Sequence, residues 1–522
     1  MRHGSLIPAL VFTVATLAGC PGGDGAIGDP CSSHSDCSGQ LQCVGSVCVP
    51  RCERAPDCGD GYRCDDDGLC QAATGQTGDT CTSEVDCVAG LSCQISGTDL
   101  GDDGYLLASC VGENGGRPAG AECSTHFECR NGTCDLGHCI DLCANDRDCG
   151  TGTLCTQIPR RIGVEKQQAR YRGCLQAHGS VRWSIPIHSA NEEVELPVPA
   201  SARSVSVLFS VDDPKQAVGA TTLYPPNLEC PPGSSLPCDV LSEFDYYQNP
   251  WARHRLEYGE SVLAMPIEPS PAAQLRTGVY RMRVQSKRPG TLCPPLEPPP
   301  CLVQGSATPS ITSVVKVDDA AILDLHFYFL NLDDHPCGSA FGGKLDATTA
   351  QNATFFGQFL GEIKNIIGNA VYFELGNVTY QDLRDHPDLD GLDVDNASSL
   401  LALGGHATGI NVFFVRTLSP IGLQAIGPNP GPAGLAGTHR SGIVIGVDTL
   451  CYRSWRQLAR LTSHEIARYM GLFDNVGIES EHVDPIPDTD MSSSNLMFYS
   501  ELGGTFLSEG QKQILRRSAV LR

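Results

Sequence analysis

Between Cys31 and Cys174 the cysteines recur in groups of four, and this regularity limits what the chain can fold into more than any other feature. The groups are Cys31, Cys37, Cys43 and Cys48; Cys52, Cys58, Cys64 and Cys70; Cys81, Cys87, Cys93 and Cys110; Cys123, Cys129, Cys134 and Cys139; and Cys143, Cys149, Cys155 and Cys174. Five or four residues separate the first three cysteines of each group, whereas the last gap varies. The preceding text repeats as well, as Gly28-Asp29-Pro30 and Gly78-Asp79-Thr80. Segments this short hold too few large apolar side chains to bury a core, so cross-links must stabilise them. The pattern therefore predicts five disulfide modules over residues 31–174 and leaves the pairing within each module open. The close Cys-x-x-Cys pairs of a zinc ribbon are missing, and disulfides in this number imply an oxidising compartment.

The start of the chain agrees with export. Arg2 and His3 precede the apolar run Leu6 to Ala18, and small residues lead into Leu17-Ala18-Gly19-Cys20, a signal-peptide pattern whose apolar stretch is too short to span a bilayer. Leu-Ala-Gly-Cys resembles the bacterial lipobox. The resemblance implies that residues 1–19 are removed and that the Cys20 thiol carries lipid at the new N-terminus. Setting Cys20 aside leaves 26 of the 27 cysteines, an even number that can pair completely. Residues 20–30 read as a Gly-rich tether. With no other stretch apolar enough for a membrane helix, the lipid on Cys20 is the expected attachment to the membrane, on a bacterial cell envelope. The formal net charge of -24, with 60 Asp and Glu against 36 Lys and Arg, excludes nonspecific nucleic-acid binding. By spacing alone, the modules resemble the Dickkopf-type or EGF-like cysteine-rich repeats of surface proteins, which implies a stalk or a surface for a protein partner.

Residues 178–312 alternate apolar and polar positions in short runs such as Ser204-Val205-Ser206-Val207-Leu208-Phe209-Ser210-Val211, broken by Pro, Gly and Asp. That period predicts a β-sandwich. Cys230 with Cys238, and Cys293 with Cys301, share one separation in Pro-rich surroundings and are expected to close local loops. Nothing in this block groups a nucleophile with a base and an acid, so it reads as accessory.

The period lengthens over residues 313–522. An apolar strand at Ile322–Leu330 is expected, then a helix over about Thr348–Ile367 with Phe355, Phe359, Ile363 and Ile367 on one stripe, then strands at Ala370–Val378, Ile410–Val415 and Gly442–Val447. The Asp-rich run Asp388 to Asn396 lacks the spacing of an EF-hand loop and reads as a solvated turn before a helix at Ala397–Leu403. Cys337 and Cys451, left over from the local pairs, would clamp this region across a long loop.

The next helix, about Arg453–Leu472, carries Ser463-His464-Glu465-Ile466-Ala467-Arg468-Tyr469-Met470-Gly471-Leu472-Phe473-Asp474. Two imidazoles one helical turn apart can share a zinc ion, with the intervening glutamate polarising its water. A glycine then turns the chain back to bring a third ligand. His464, Glu465, Gly471 and Asp474 stand at such positions, and Asp484 to Thr489 and Asn495-Leu496-Met497-Phe498-Tyr499 follow. Together these segments resemble the metzincin zinc peptidases, in their pappalysin-like branch, over about 200 residues. The resemblance implies a mixed α/β fold, with Glu465 as general base, His464 and Asp474 as zinc ligands, and Met497 in the methionine turn beneath the metal. The expected architecture is then multidomain: disulfide-rich modules, a β-sandwich and an α/β metzincin-like domain.

Two positions depart from the family. Asp474 replaces a histidine, which a carboxylate ligand tolerates. Arg468 replaces the second histidine, and a guanidinium has no lone pair to give and stays charged. At about 5 Å it would oppose a divalent ion by about 6–7 kcal/mol at an effective dielectric near 20. Its spacing suggests instead that Arg468 displaces the metal and bridges Glu465 and Asp474. His482 could act as a replacement ligand, and His406 and His439 have no assigned part. The expected function is a peptidase-like envelope lipoprotein, impaired or inactive and serving binding or structure. Its rivals are a working zinc endopeptidase with an unconventional site and a surface adhesin binding through its cysteine-rich repeats.

Overall fold

The order of elements follows from where the chain can bury apolar surface and where only cross-links can hold it. The computed structural model describes residues 28–522 apart from positions 40, 45, 66, 227–240, 243–255, 267–270, 272, 291–300, 319–320, 331, 390, 407, 421–422, 428–440, 478–483 and 501–502. Cys20, Cys230, Cys238, Cys293, His439 and His482 therefore lie outside the described residues.

Every module between Cys31 and Cys174 uses one pairing, first cysteine to third and second to fourth, as in Cys31–Cys43 and Cys37–Cys48 or Cys143–Cys155 and Cys149–Cys174. The third and fourth cysteines face each other across a hairpin, as Cys43 faces Cys48, Cys93 faces Cys110 and Cys155 faces Cys174. The variable last gap is the hairpin's length, so it can grow without disturbing either bond. The second cysteine follows a single 3-10 turn, for example His34–Asp36, Ala55–Asp57 and Glu84–Asp86. The acid before that cysteine folds back onto the turn. Asp36 accepts from the Ser32 and Ser33 amides at 2.7 and 2.8 Å, and Asp148 from Ala144 and Asn145 at 2.7 and 3.2 Å. These backbone hydrogen bonds hold the Asp36 and Asp57 carboxyls below their ordinary values.

The last module widens into a long hairpin, β1 (Thr153–Ile162) and β2 (Gln167–Gln176). Ile158 and Tyr171 from it, and Leu136 and Ile140 from the module before, join one apolar core with Trp183, Val194, Leu196 and Phe209. The later modules are thus packed onto the following domain. That domain is the expected sandwich. One sheet runs β3 (Ser180–Ile185), β9 (Ser310–Lys316), β5 (Ser204–Ser210), β7 (Glu260–Met265); the other has β4 (Asn191–Val198), β8 (Gly278–Pro289) and β6 (Ala217–Tyr224) as neighbours. Its closing strand reaches Lys316, past the boundary expected at residue 312. Cys301 is disulfide-bonded.

Beyond Lys316 a five-stranded sheet runs β11 (Glu374–Asp382), β10 (Ile322–Phe329), β12 (Ile410–Val415), β14 (Ile443–Gly446), β13 (Ala425–Ile426). Neighbours are parallel except the edge strand β13, which is antiparallel to β14. Leu323, Leu325, Phe327 and Phe329 of β10 point into one core and Tyr328 joins another, so both faces are covered, as expected of parallel strands. The helix expected over Thr348–Ile367 divides into α1 (Ala347–Asn352) and α2 (Thr354–Ile363), followed by one π turn. Its deepest aromatic is Phe356, which meets Phe327 edge-on at 5.1 Å, whereas Phe355 lies at the margin and stacks on Trp455. The strand expected at Ala370–Val378 begins later, at Glu374, because helical turns continue to Val371 and Tyr372 takes a left-handed conformation. Cys337 and Cys451 are bonded, closing a sequence separation of 114 residues. The Asp388 to Asn396 run forms a short strand, Gly391–Asp393, paired with Thr417–Ser419. Asn396 stands at the start of the following helix without a side-chain cap. Among the described residues no helix is long and apolar enough to cross a membrane.

Candidate functional site

The candidate residues ride on α3 (Trp455–Tyr469), the longest helix among the described residues, which begins with a reciprocal cap between Ser454 and Gln457. Leu458, Ala459, Ile466 and Ala467 join the sheet-side core, fixing the rotation of the helix. His464 and Glu465 are then buried, at 4 and 5% exposure, and Arg468 lies partly exposed one turn on. Gly471, at φ +113°, ends the helix, its amide bonding to Arg468 O and that of Leu472 to Ala467 O. This is the reversal that a glycine permits after a helix, and it brings Asp474 back beside His464.

His464 is held from both sides. Its Nδ1 lies 2.9 Å from Leu496 O, which can only accept, so Nδ1 carries a proton. Its Nε2 faces Asp474 Oδ1 at 3.4 Å. A hydrogen bond across that gap needs a second proton on the ring, whereas a bound metal would need Nε2 bare. Burial pushes the Asp474 carboxyl up, but the His464 ring and the charges of Arg468 and Arg460 outweigh it and hold the carboxyl below its ordinary value. Arg468 Nη1 stands 3.9 Å from Glu465 Oε2. The expected double bridge is therefore uneven: Arg468 pairs with Glu465 and reaches Asp474 through its field, while Asp474 pairs with His464. Glu465 Oε2 and Asp474 Oδ1 are buried and make no hydrogen bond among the described residues. The Glu465 carboxylate packs against Gly427, just beyond β13, where a Cβ would collide with it.

Met497 is fully buried in the sheet-side core. Its amide donates to Asn495 Oδ1 at 2.8 Å and its carbonyl accepts from Asn475 at 3.0 Å, which ties the chain after Asp474 to the turn at Met497. Asp484 accepts from Gln511, and Asp488 receives the Gly510 amide at the start of α4 (Glu509–Arg516); Gln511 also accepts from Asn495, which links this segment to the turn through α4. His406 stacks on His326 with ring centroids 3.6 Å apart. His326 alternates along β10 with the core residue Phe327, so the pair faces away from α3.

Zinc at such a site takes at least three protein ligands. Among the described residues no three ligand atoms of His, Cys, Asp or Glu gather here; the groups that do are cysteines already joined in disulfides. His464 Nε2 and an Asp474 oxygen could ligate, whereas Arg468, one turn after His464, offers a guanidinium with no lone pair to give. Among the described residues only two ligands stand here, one short of a zinc site, and His482 lies outside them.

One residue of the site carried no motif: Arg460, one turn before His464, buried at 6% exposure. Its spacing of four from His464 on an amphipathic helix was the available signal. The chain matches no family model and no curated protein.

Proposed function

We propose that the chain is a lipid-anchored protein of a bacterial cell envelope, whose residues 313–522 form a metzincin-like domain kept for binding or structure rather than for peptide hydrolysis. The observation that carries this reading is the Arg468 guanidinium, 3.9 Å from the Glu465 carboxylate, where the resemblance calls for a second imidazole. A fixed cation there compensates the glutamate without a metal and leaves no electrophile to activate water. Support for the peptidase-like frame comes from the order strand, helix, strands and His-Glu helix, from the Gly471 reversal, and from the buried Met497 turn beside His464. The oxidising compartment is supported by the bonded modules. Lipidation of Cys20 rests on the lipobox resemblance.

A second reading, a working zinc endopeptidase, is favoured by one observation: His464 Nδ1 donates to a backbone carbonyl, the support a metal-bound imidazole commonly has. Cleavage of an unfolded protein substrate by the purified chain separates the two. The first reading expects no turnover above that of Glu465→Gln. Turnover abolished by Glu465→Gln would establish the enzyme.

A further inference from the structure

We infer that Arg460 is the positioning residue of the His464 site, holding the Met497 turn against α3 and through it fixing which way the His464 ring is presented. The guanidinium spreads its donors over four backbone carbonyls: Nη2 to Leu496 at 2.7 Å and Phe498 at 3.2 Å, Nη1 to Ser500 at 2.9 Å, and Nε to Gly504 at 3.2 Å. Leu496 O is thus shared, receiving Arg460 from one side and His464 Nδ1 from the other. A carbonyl clamped by a charged donor cannot turn away, so the imidazole beside it keeps its proton on Nδ1 and its Nε2 toward Asp474.

Two features set this apart from an ordinary buried arginine. Among the described residues no carboxylate lies in ion-pair range of Arg460, so its charge is held by backbone carbonyls and acts on Glu465 and Asp474 only from a distance. Burial pulls its pKa down to about 10, which leaves it charged at neutral pH. The turn is also shaped around the guanidinium, because a Cβ at Gly503 would collide with Nη2. The role concerns how His464 is held and goes beyond the proposed function, since it applies to a binding site and a metal site alike.

The test uses the full chain labelled with 15N-histidine, with the His464 resonances assigned by their loss in His464→Gln. The wild type should show one ring form, protonated at Nδ1 and slow to exchange. Arg460→Met should lose the slow Nδ1 proton and mix the two ring forms, and Arg460→Lys should recover part of the wild-type signal, because an ammonium can still hold one or two carbonyls. Gly503→Ala keeps the arginine but displaces it, so it should shift the His464 signal in the direction of Arg460→Met; it also decides the matter if Arg460→Met fails to fold. A folded Arg460→Met or Gly503→Ala chain with an unchanged His464 ring would overturn the inference, since a purely structural arginine lowers stability without moving the tautomer.

Discussion

The cysteine-rich modules and the C-terminal domain solve the same problem by opposite means. A module such as Cys31 to Cys48 has a buried cluster consisting of Cys31, Cys37 and Cys48 themselves, so its bonds are its core. The C-terminal domain buries a broad apolar core around Phe327, Phe356 and Phe414 and adds one long-range disulfide, Cys337–Cys451. Geometry in a module is therefore local and tolerant: hairpins lengthen from Cys43–Cys48 to Cys155–Cys174 without a change of pairing. In the C-terminal domain, residues far apart in the chain must meet at one carbonyl or one carboxylate, so a single side chain there sets the local chemistry.

Reduction should expose this contrast most strongly. Losing one module disulfide costs about 2–5 kcal/mol in a small domain, which leaves a core-poor module unfolded. Under a thiol reductant, limited proteolysis should cut within residues 31–72 before the five-stranded sheet is attacked, and the later modules, packed on the sandwich, should follow more slowly. In the C-terminal domain, removing both Cys337 and Cys451 should cost about 5 kcal/mol in the chain-entropy account, read as a lower unfolding midpoint with the sheet still forming. Equal protease resistance of the first modules before and after reduction would break the comparison.

A smaller effect is expected where the C-terminal domain depends on one backbone conformation. Gly471→Ala places a Cβ at φ +113° and should destabilise by about 1–3 kcal/mol. The loss should appear in denaturant melts of the C-terminal domain and leave the modules unchanged. A neutral result would mean that the reversal before Asp474 is not strained by a side chain.

The modules should in turn carry a pH dependence of their own. Burial, reinforced by Asp141, pushes the Glu84 carboxyl up to about 8 from 4.5. The folded state thus prefers the protonated acid: its stabilising contribution is complete below pH 4.5 and is lost as pH rises through about 8. Melting of the module region should weaken over that window, and Glu84→Gln should flatten the profile. Parallel profiles for the two proteins would remove Glu84 as the cause.

What could be read from the sequence divides along the same line. Spacing alone located all the modules, because covalent staples act over short distances, and the strand at Ile410–Val415 was legible from its apolar run, interrupted only by Asn411. The pairing of the cysteines was not, since several connectivities satisfy the same spacing. The acid before each second cysteine, Asp36, Asp57, Asp86, Glu128 and Asp148, was visible in the text, but its meaning depends on a turn that only the fold supplies. At the candidate site, His464, Glu465, Arg468 and Asp474 were recognisable by residue type and order. That Asp474 pairs with His464, and that Arg460 clamps Leu496, depends on how the chain returns after Gly471, which helical periodicity does not encode.

The central claim is that Arg468 holds the place of a metal, and zinc content tests it most directly. Protein purified with zinc present and then passed through a mild chelator should retain none, whereas Arg468→His, which supplies a third ligand beside His464 and Asp474, should retain zinc in stoichiometric amount. Stoichiometric, chelator-resistant zinc in the wild-type chain would contradict the account.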